Sequence, residues 1–331
     1  MAGGGLNVAR RSRLKIAARR PKAMHRSPPR PTTVTAPNPS SPAAGPVAVI
    51  AREIDLARQR GPLQQIVVPP CPELLTRLDR AMAHAEPDLG EVARIAEADV
   101  AMAATLIRHA NGARYAGAAP VALPGQAMNR LGLRQTATLM RGFLASHAIP
   151  VRSPLLAGFW EQSTQRAQAM AWIAMQLPGL SVELAHSYGL FCHVGQPVLL
   201  QSVRGYAGTL VEARARKDRS AVETENANHR TDHAVVGALT ARCWHLPGPV
   251  MAAIRLHHNL ESLGHRDIEP EVQTLVAAGL VADWLVARRQ GLSPDADWTR
   301  HRDAALAWLG VAADELDAWV DASFEEALAP A

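Results

Sequence analysis

Lysine is scarce in this chain: three occur among 331 residues, and only Lys217 lies beyond residue 46. A phosphate-binding loop, a Schiff-base enzyme or a protein kinase each needs a lysine at a fixed place, so those classes have almost nothing to build on. The patterns GxxxxGK, GxGxxG, GxSxG and HExxH are absent as well. Cysteine is equally rare. Cys71, Cys192 and Cys243 are odd in number and lack CxxC spacing, which argues against a disulfide framework and a zinc ribbon. That usage fits a reducing, cytoplasmic setting. The stretch Leu184–Val203 has no Asp, Glu, Lys or Arg, but it holds His186, Gly189, His193, Gly195, Pro197 and two Gln. A lipid-spanning helix would not favour those residues, and no membrane span is expected.

Acidic residues are missing from one end. Residues 1–46 carry nine Arg/Lys, no acid and eight prolines, which makes a +9 arm on a body of −4 within the chain's net +5. So little of that arm is apolar and large that it reads as disordered. Its charge fits a weak contact with nucleic acid or an anionic membrane surface through counterion release, or no dedicated partner at all. Its Arg-rich, acid-free start also mimics an organelle transit peptide.

What the body does have is 48% hydrophobic content over the chain, enough for a substantial core. From Val47 the apolar spacing is helical almost everywhere. Ile66-Val67-Val68 is the one β-branched run there, and two prolines stop it at once. The fold expected is all-α. Pro72 opens a helix with Leu74, Leu75, Leu78 and Met82 inward. Asp88 and Glu91 form an Asp version of the capping box before an apolar face of Leu89, Val92, Ala93 and Ala96. Asp99 caps the next helix, with Val100, Ala103, Ala104 and Ile107 as its stripe, and Asn111-Gly112 ends it. A longer helix follows Pro154, with Leu156, Phe159, Trp160, Ser163, Ala167, Met170, Ala171, Ala174 and Leu177 along one face. All seven tryptophans lie from Trp160 onward, at scattered spacings that read as packing groups.

Six segments in order carry a resemblance: Val68–Leu75, IRHANGARYAG at 107–117, AMNRLGLRQ at 127–135, GLFCHVGQPVLL at 189–200, Asp232-His233-Ala-Val-Val-Gly237, and WHLPGPVMAAIRLHH at 244–258. Together they are similar to the HDOD family, over roughly residues 63–290. The resemblance implies an all-helical offshoot of the HD phosphohydrolase superfamily, found in bacteria, that serves signalling and has usually lost catalysis. It implies a tail over 1–46, an N-terminal helical lobe over 47–150, a degenerate HD-like lobe over 151–290, and C-terminal helices over 291–331. Leu306, Leu309, Leu316, Trp319, Val320 and Phe324 would bring that last segment into the body or offer a groove to a partner. The Asn111-Gly112…Tyr115 motif would fasten a loop between helices.

The superfamily's metal chemistry uses a His, an adjacent His-Asp pair and a distant Asp, which hold divalent ions that activate water. Carried over residue by residue, these positions are Gln162, the pair His193-Val194, and Asp283. An amide is a poor ligand and a valine none, so the expectation is a protein without a metal or other cofactor and not a metal-dependent phosphohydrolase. Arg230 stands where the family often has glycine. Periodicity alone places Asp283 on the apolar face of Val272, Leu275, Val276, Gly279 and Leu280, where a carboxylate needs a partner. His193, His233, His257 and His258 are the candidates; His257 follows the stripe of Val250, Ala253 and Ile254, while His258 is turned about 100° away. Cys192 and Cys243 read as small core fillers.

The function expected is a non-catalytic regulator acting through a protein partner, with Gln162, His193, Val194, His233, His257, His258 and Asp283 lining a vestigial pocket. Two alternatives stand beside it. One is a phosphohydrolase acting on a nucleotide or phosphodiester through rearranged ligands; the other is a nucleic-acid-binding regulator that uses the basic arm.

Overall fold

In the computed structural model, residues 45–331 are described other than 85, 113, 114, 116, 217 and 327–331, with backbone alone for 62 and 321–326. The basic arm therefore lies outside the described residues apart from Gly45 and Pro46. Among the described residues there are sixteen α-helices and no strand. In order they are α1 (Pro46–Arg60), α2 (Glu73–Met82), α3 (Leu89–Glu97), α4 (Val100–Ala110), α5 (Pro124–Leu131), α6 (Leu133–Ala148), α7 (Phe159–Gln176) and α8 (Val182–Phe191). There follow α9 (Gly195–Ser202), α10 (Tyr206–Ala215), α11 (Ala221–His229), α12 (His233–Cys243), α13 (Gly248–Leu256), α14 (Pro270–Arg289), α15 (Ala296–Leu309) and α16 (Ala313–Glu326).

Short polar side chains start many of them. Asp99 accepts the Ala101 and Met102 amides ahead of α4, Ser220 and Glu223 cap each other at α11, and Asp232 takes the Val235 amide at α12. Asp88 caps α3 through the Glu91 amide, but the Glu91 side chain does not close a box; it pairs instead with Arg77 and Arg94. The expected inward stripe of α4 is corrected too. Val100 is 86% exposed, and the buried face is Met102, Leu106 and Ala110, because the capping turn rotates the first residues outward. Leu89 is likewise exposed at the first turn of α3. Each fully buried Leu or Met contributes about 1.5–3 kcal/mol.

Helices α2 to α6 pack on one another and reach the remainder through α6 against α7. In that remainder α7 and α8 form a close pair, α12 sits between α9 and α13, and α14 packs on α7, α8, α13 and α15. Helix α1 crosses the expected lobe boundary and lies on α12 and α13, so the described residues from 45 onward form one unit around one core. Leu306, Leu316 and Trp319 are buried, which brings the C-terminal helices into that core; the side chain of Phe324 is outside the described residues. The loop after α4 is fastened by Asn111, whose side-chain amide pairs with both the N–H and the carbonyl of Val121.

Two glycines let the site's helices approach. A Cβ on Gly189 would lie 2.8 Å from the Ala167 Cα, fixing α8 against α7. One on Gly195 would collide with the His233 carbonyl and come within 2.7 Å of the Gly237 nitrogen. Only glycine at 195 allows α9 to start directly on the first turn of α12, which sets His193 beside His233.

Candidate functional site

Four histidines meet where helices begin and end. His193 follows α8 and precedes α9, His233 is the first residue of α12, and His257 and His258 leave the end of α13. One ring nitrogen from each lies within 4.8 Å of those of the others. His257 keeps helical dihedrals (φ −62°, ψ −19°) at the end of α13, yet its ring and that of His258 converge. Their ring centroids are 4.1 Å apart.

Three of the four rings are held from behind. Nδ1 of His233 donates to Glu225 Oε2 at 2.8 Å, Nδ1 of His257 to the Ile254 carbonyl at 2.7 Å, and Nδ1 of His258 to Asp297 Oδ2 at 2.7 Å. A carbonyl or ionised carboxylate can only accept, so each of these rings carries a hydrogen on Nδ1 and turns Nε2 inward. The Nε2 of His233 lies 3.2 Å from that of His257 and 3.0 Å from that of His258. Glu225 is itself fixed on three sides, since it also accepts from the Tyr206 hydroxyl at 2.6 Å and the His233 amide at 2.9 Å. Burial would raise the Glu225 pKa, yet His233 and Tyr206 outweigh it and the carboxylate stays below its ordinary value. Burial and the neighbouring histidines push His257 well down, and burial with Arg166 puts His193 at about 3. Burial alone would lower His258, but Asp297 lifts it above its ordinary value.

Asp283 meets one of its expected partners, His193, and a second that was not expected, Arg166. Its Oδ1 is bonded by Nε of Arg166, while His193 Nε2 is 3.6 Å from Oδ2. Burial would raise the Asp283 pKa, but the guanidinium holds it far below the carboxylate range. Arg166 stands one turn after Gln162 on α7, and both line a pocket of about 240 Å3 together with His193, His258, Asp283 and Asp295. Val194 has no exposed surface and belongs to the hydrophobic core. The superfamily's metal set thus does not fit this chain: an amide replaces its first His, an aliphatic side chain in the core replaces its first Asp, and the last Asp is neutralised by an arginine.

Of the residues singled out from sequence, His193, His233, His257, His258, Asp283 and Gln162 come together, and Val194 does not. Sequence reasoning missed Arg166, Tyr206, Glu225 and Asp297. Arg166 was legible in principle, four residues from Gln162 on one helix face. Glu225 and Asp297 lie 8 and 39 residues from the histidines they orient, and no spacing rule links them. Cys192 is buried with its thiol pushed up to about 12 by burial, and Cys243 accepts from Arg58 at 3.2 Å. Among the described residues no helix is long and apolar enough to cross a membrane.

Similar proteins share this arrangement of helices. The chain covers 85% of its length on an HDOD domain protein of unknown function from Geobacter sulfurreducens and 95% of that chain, at 21% identity and TM-score 0.62. A provisionally named signal transduction protein from Marinobacter aquaeolei VT8 aligns over 85% of this chain and 64% of its own, at 20% identity and TM-score 0.66. A provisionally named phosphohydrolase from Shewanella amazonensis SB2B aligns over 85% and 96%, at 18% identity and TM-score 0.59. By sequence, an uncharacterized protein of Treponema pallidum (strain Nichols) is 24% identical over 245 residues, 72% of this chain and 47% of that one; the chain spans about half the length of this curated relative. The HDOD domain family model matches residues 68–260, more than half of the chain. The chain belongs to the HDOD domain family.

Proposed function

We propose that this chain is a signalling module that works by binding other proteins and does not hydrolyse phosphoesters. The observation that carries this reading is the fate of the carboxylates. Water activation in the HD superfamily needs oxygen ligands on the metal. Here Val194 supplies none, and Asp283 is occupied by Arg166. The pocket also suits an anion poorly, since Asp283, Asp295 and Asp297 line it against one arginine that is already paired. The name of the Marinobacter relative is in keeping with a signalling role.

The test is turnover of p-nitrophenyl phosphate, bis-p-nitrophenyl phosphate and a panel of nucleotides, with Mg2+, Mn2+, Fe2+ or Zn2+ present. The expected rate equals that of buffer with metal alone. Turnover that falls at least tenfold in Asp283→Asn would overturn the proposal. A second reading, a hydrolase with rearranged ligands, draws on the histidine cluster and on the name of the Shewanella relative; it requires that same turnover.

A further inference from the structure

We propose that His193, His233, His257 and His258 bind one divalent cation of the nitrogen-preferring class, Zn2+, Co2+, Ni2+ or Cu2+, through imidazole alone. This goes beyond the signalling reading and stands whether or not a partner is found.

In His233, His257 and His258 the Nδ1 hydrogen is spent outward, on Glu225, the Ile254 carbonyl and Asp297, which turns Nε2 towards the cluster. Nε2 of His233 lies 3.2 Å from that of His257 and 3.0 Å from that of His258. Ring nitrogens at that distance need a proton or a metal cation among them. Four nitrogens at about 2.0–2.1 Å around a tetrahedral ion would be about 3.3 Å apart; His233 already stands at 3.2 and 3.0 Å from His257 and His258, and all four lie within 4.8 Å of one another. His193 brings the fourth imidazole, and its Nδ1 is buried with no hydrogen-bond partner.

Charge points the same way. Arg166 cancels Asp283, which leaves the carboxylates of Glu225 and Asp297 behind the imidazoles of His233 and His258. Glu225 is 1% exposed, and a buried negative charge needs a counter-charge within reach. Two carboxylates behind a four-nitrogen cage balance one divalent ion, and such outer carboxylates also fix ring orientation and raise ligand basicity. The same composition selects the metal. Mg2+, Ca2+ and Mn2+ favour oxygen, and the cage offers none; imidazole suits the later first-row ions. Four protein ligands also leave no open position on a tetrahedral ion, so a site of this kind holds helices together rather than activating water. It ties the ends of α8 and α13 to the starts of α9 and α12, and through Asp297 to α15.

The experiment uses the full chain without a histidine tag, stripped by chelator, dialysed and titrated with Co2+. The expected result is visible absorption that saturates at one Co2+ per chain with the intensity of a tetrahedral site, is bleached by one equivalent of Zn2+, and is unmoved by excess Mg2+ or Mn2+. Zn2+ should raise Tm. His258→Gln is expected to weaken Co2+ binding at least 100-fold. Asp297→Asn, which leaves every ligand in place on a partly exposed side chain, should weaken it 10- to 100-fold, with the far-UV circular dichroism of both variants unchanged. Absence of Co2+ binding at 100 µM by a folded apoprotein would overturn the proposal, the cluster then holding only a proton. Equal preference for Mn2+ and Zn2+, or undiminished binding in His233→Gln/His258→Gln, would overturn it as well.

Discussion

Removing Arg166 tests whether Asp283 is held as half of an ion pair. The two side chains are 11% and 29% exposed, and His193 also approaches the carboxylate, at 3.6 Å. Substitution Arg166→Met keeps much of the aliphatic stem and deletes the charge, which strands Asp283. Breaking a fully buried pair costs about 3–5 kcal/mol; with Asp283 partly reached by solvent through the pocket, about 2–3 kcal/mol is the reasoned figure. Urea unfolding followed by tryptophan fluorescence reads it as a lower midpoint at an unchanged slope. The double variant Arg166→Met/Asp283→Leu removes both charges and should recover most of the loss, giving a coupling of at least 1.5 kcal/mol in the cycle. A cost for Arg166→Met below about 0.5 kcal/mol, or a coupling near zero, would refute the claim that the pair is formed and that Asp283 is unavailable to a metal.

Three further outcomes follow from particular residues. Val194→Asp restores the superfamily's His-Asp pair in sequence, but position 194 has no exposed surface; it should destabilise by about 3 kcal/mol or more in urea unfolding and create no hydrolase activity. Arg230, exposed with φ 57° after α11, is in the left-handed region, so Arg230→Gly should raise stability by about 1 kcal/mol, visible in Tm. His186 is 4% exposed, neither ring nitrogen has a partner, and burial pushes its pKa down to about 3. The unfolded chain therefore takes up a proton below about pH 6.5 that the folded chain refuses, and this residue's contribution to stability is complete above that pH and declines as pH falls towards 3. Between pH 7.5 and 5 the decline is about 2 kcal/mol, and it should be missing from the urea midpoints of His186→Leu.

The all-helical fold was legible because its signals are local: apolar spacing, Asp and Ser caps, and Pro and Gly at helix ends. Where it misled, the cause was also local. Val100 and Leu89 are apolar and periodic, but each sits in the first turn, where the cap sets the direction of the chain. Arg230 keeps the turn that glycine usually makes, at the cost of a left-handed backbone. The histidines were legible as candidates, since motif matching and the apolar stripe both pointed to them. Their convergence was not, because it depends on helix ends packed through Gly195, which sets His193 beside His233. Asp283 was rightly marked as a carboxylate that needs a partner, yet Arg166 lies 117 residues away and no periodicity connects them. Counting ligands against the superfamily pattern led to an expectation of no metal; the structure brings together His233, His257 and His258, which that count left out.

The central claim is that this site is built of nitrogen around one ion and lacks the oxygen ligands of a hydrolase. Metal content per chain tests it most directly, measured by elemental analysis after incubation with equimolar Zn2+ and Mn2+ and removal of free ions. Hydrolysis of bis-p-nitrophenyl phosphate is assayed on the same sample. The account predicts one zinc, no manganese and no turnover. Two metal ions per chain with manganese among them, and turnover lost in Asp283→Asn, would contradict it.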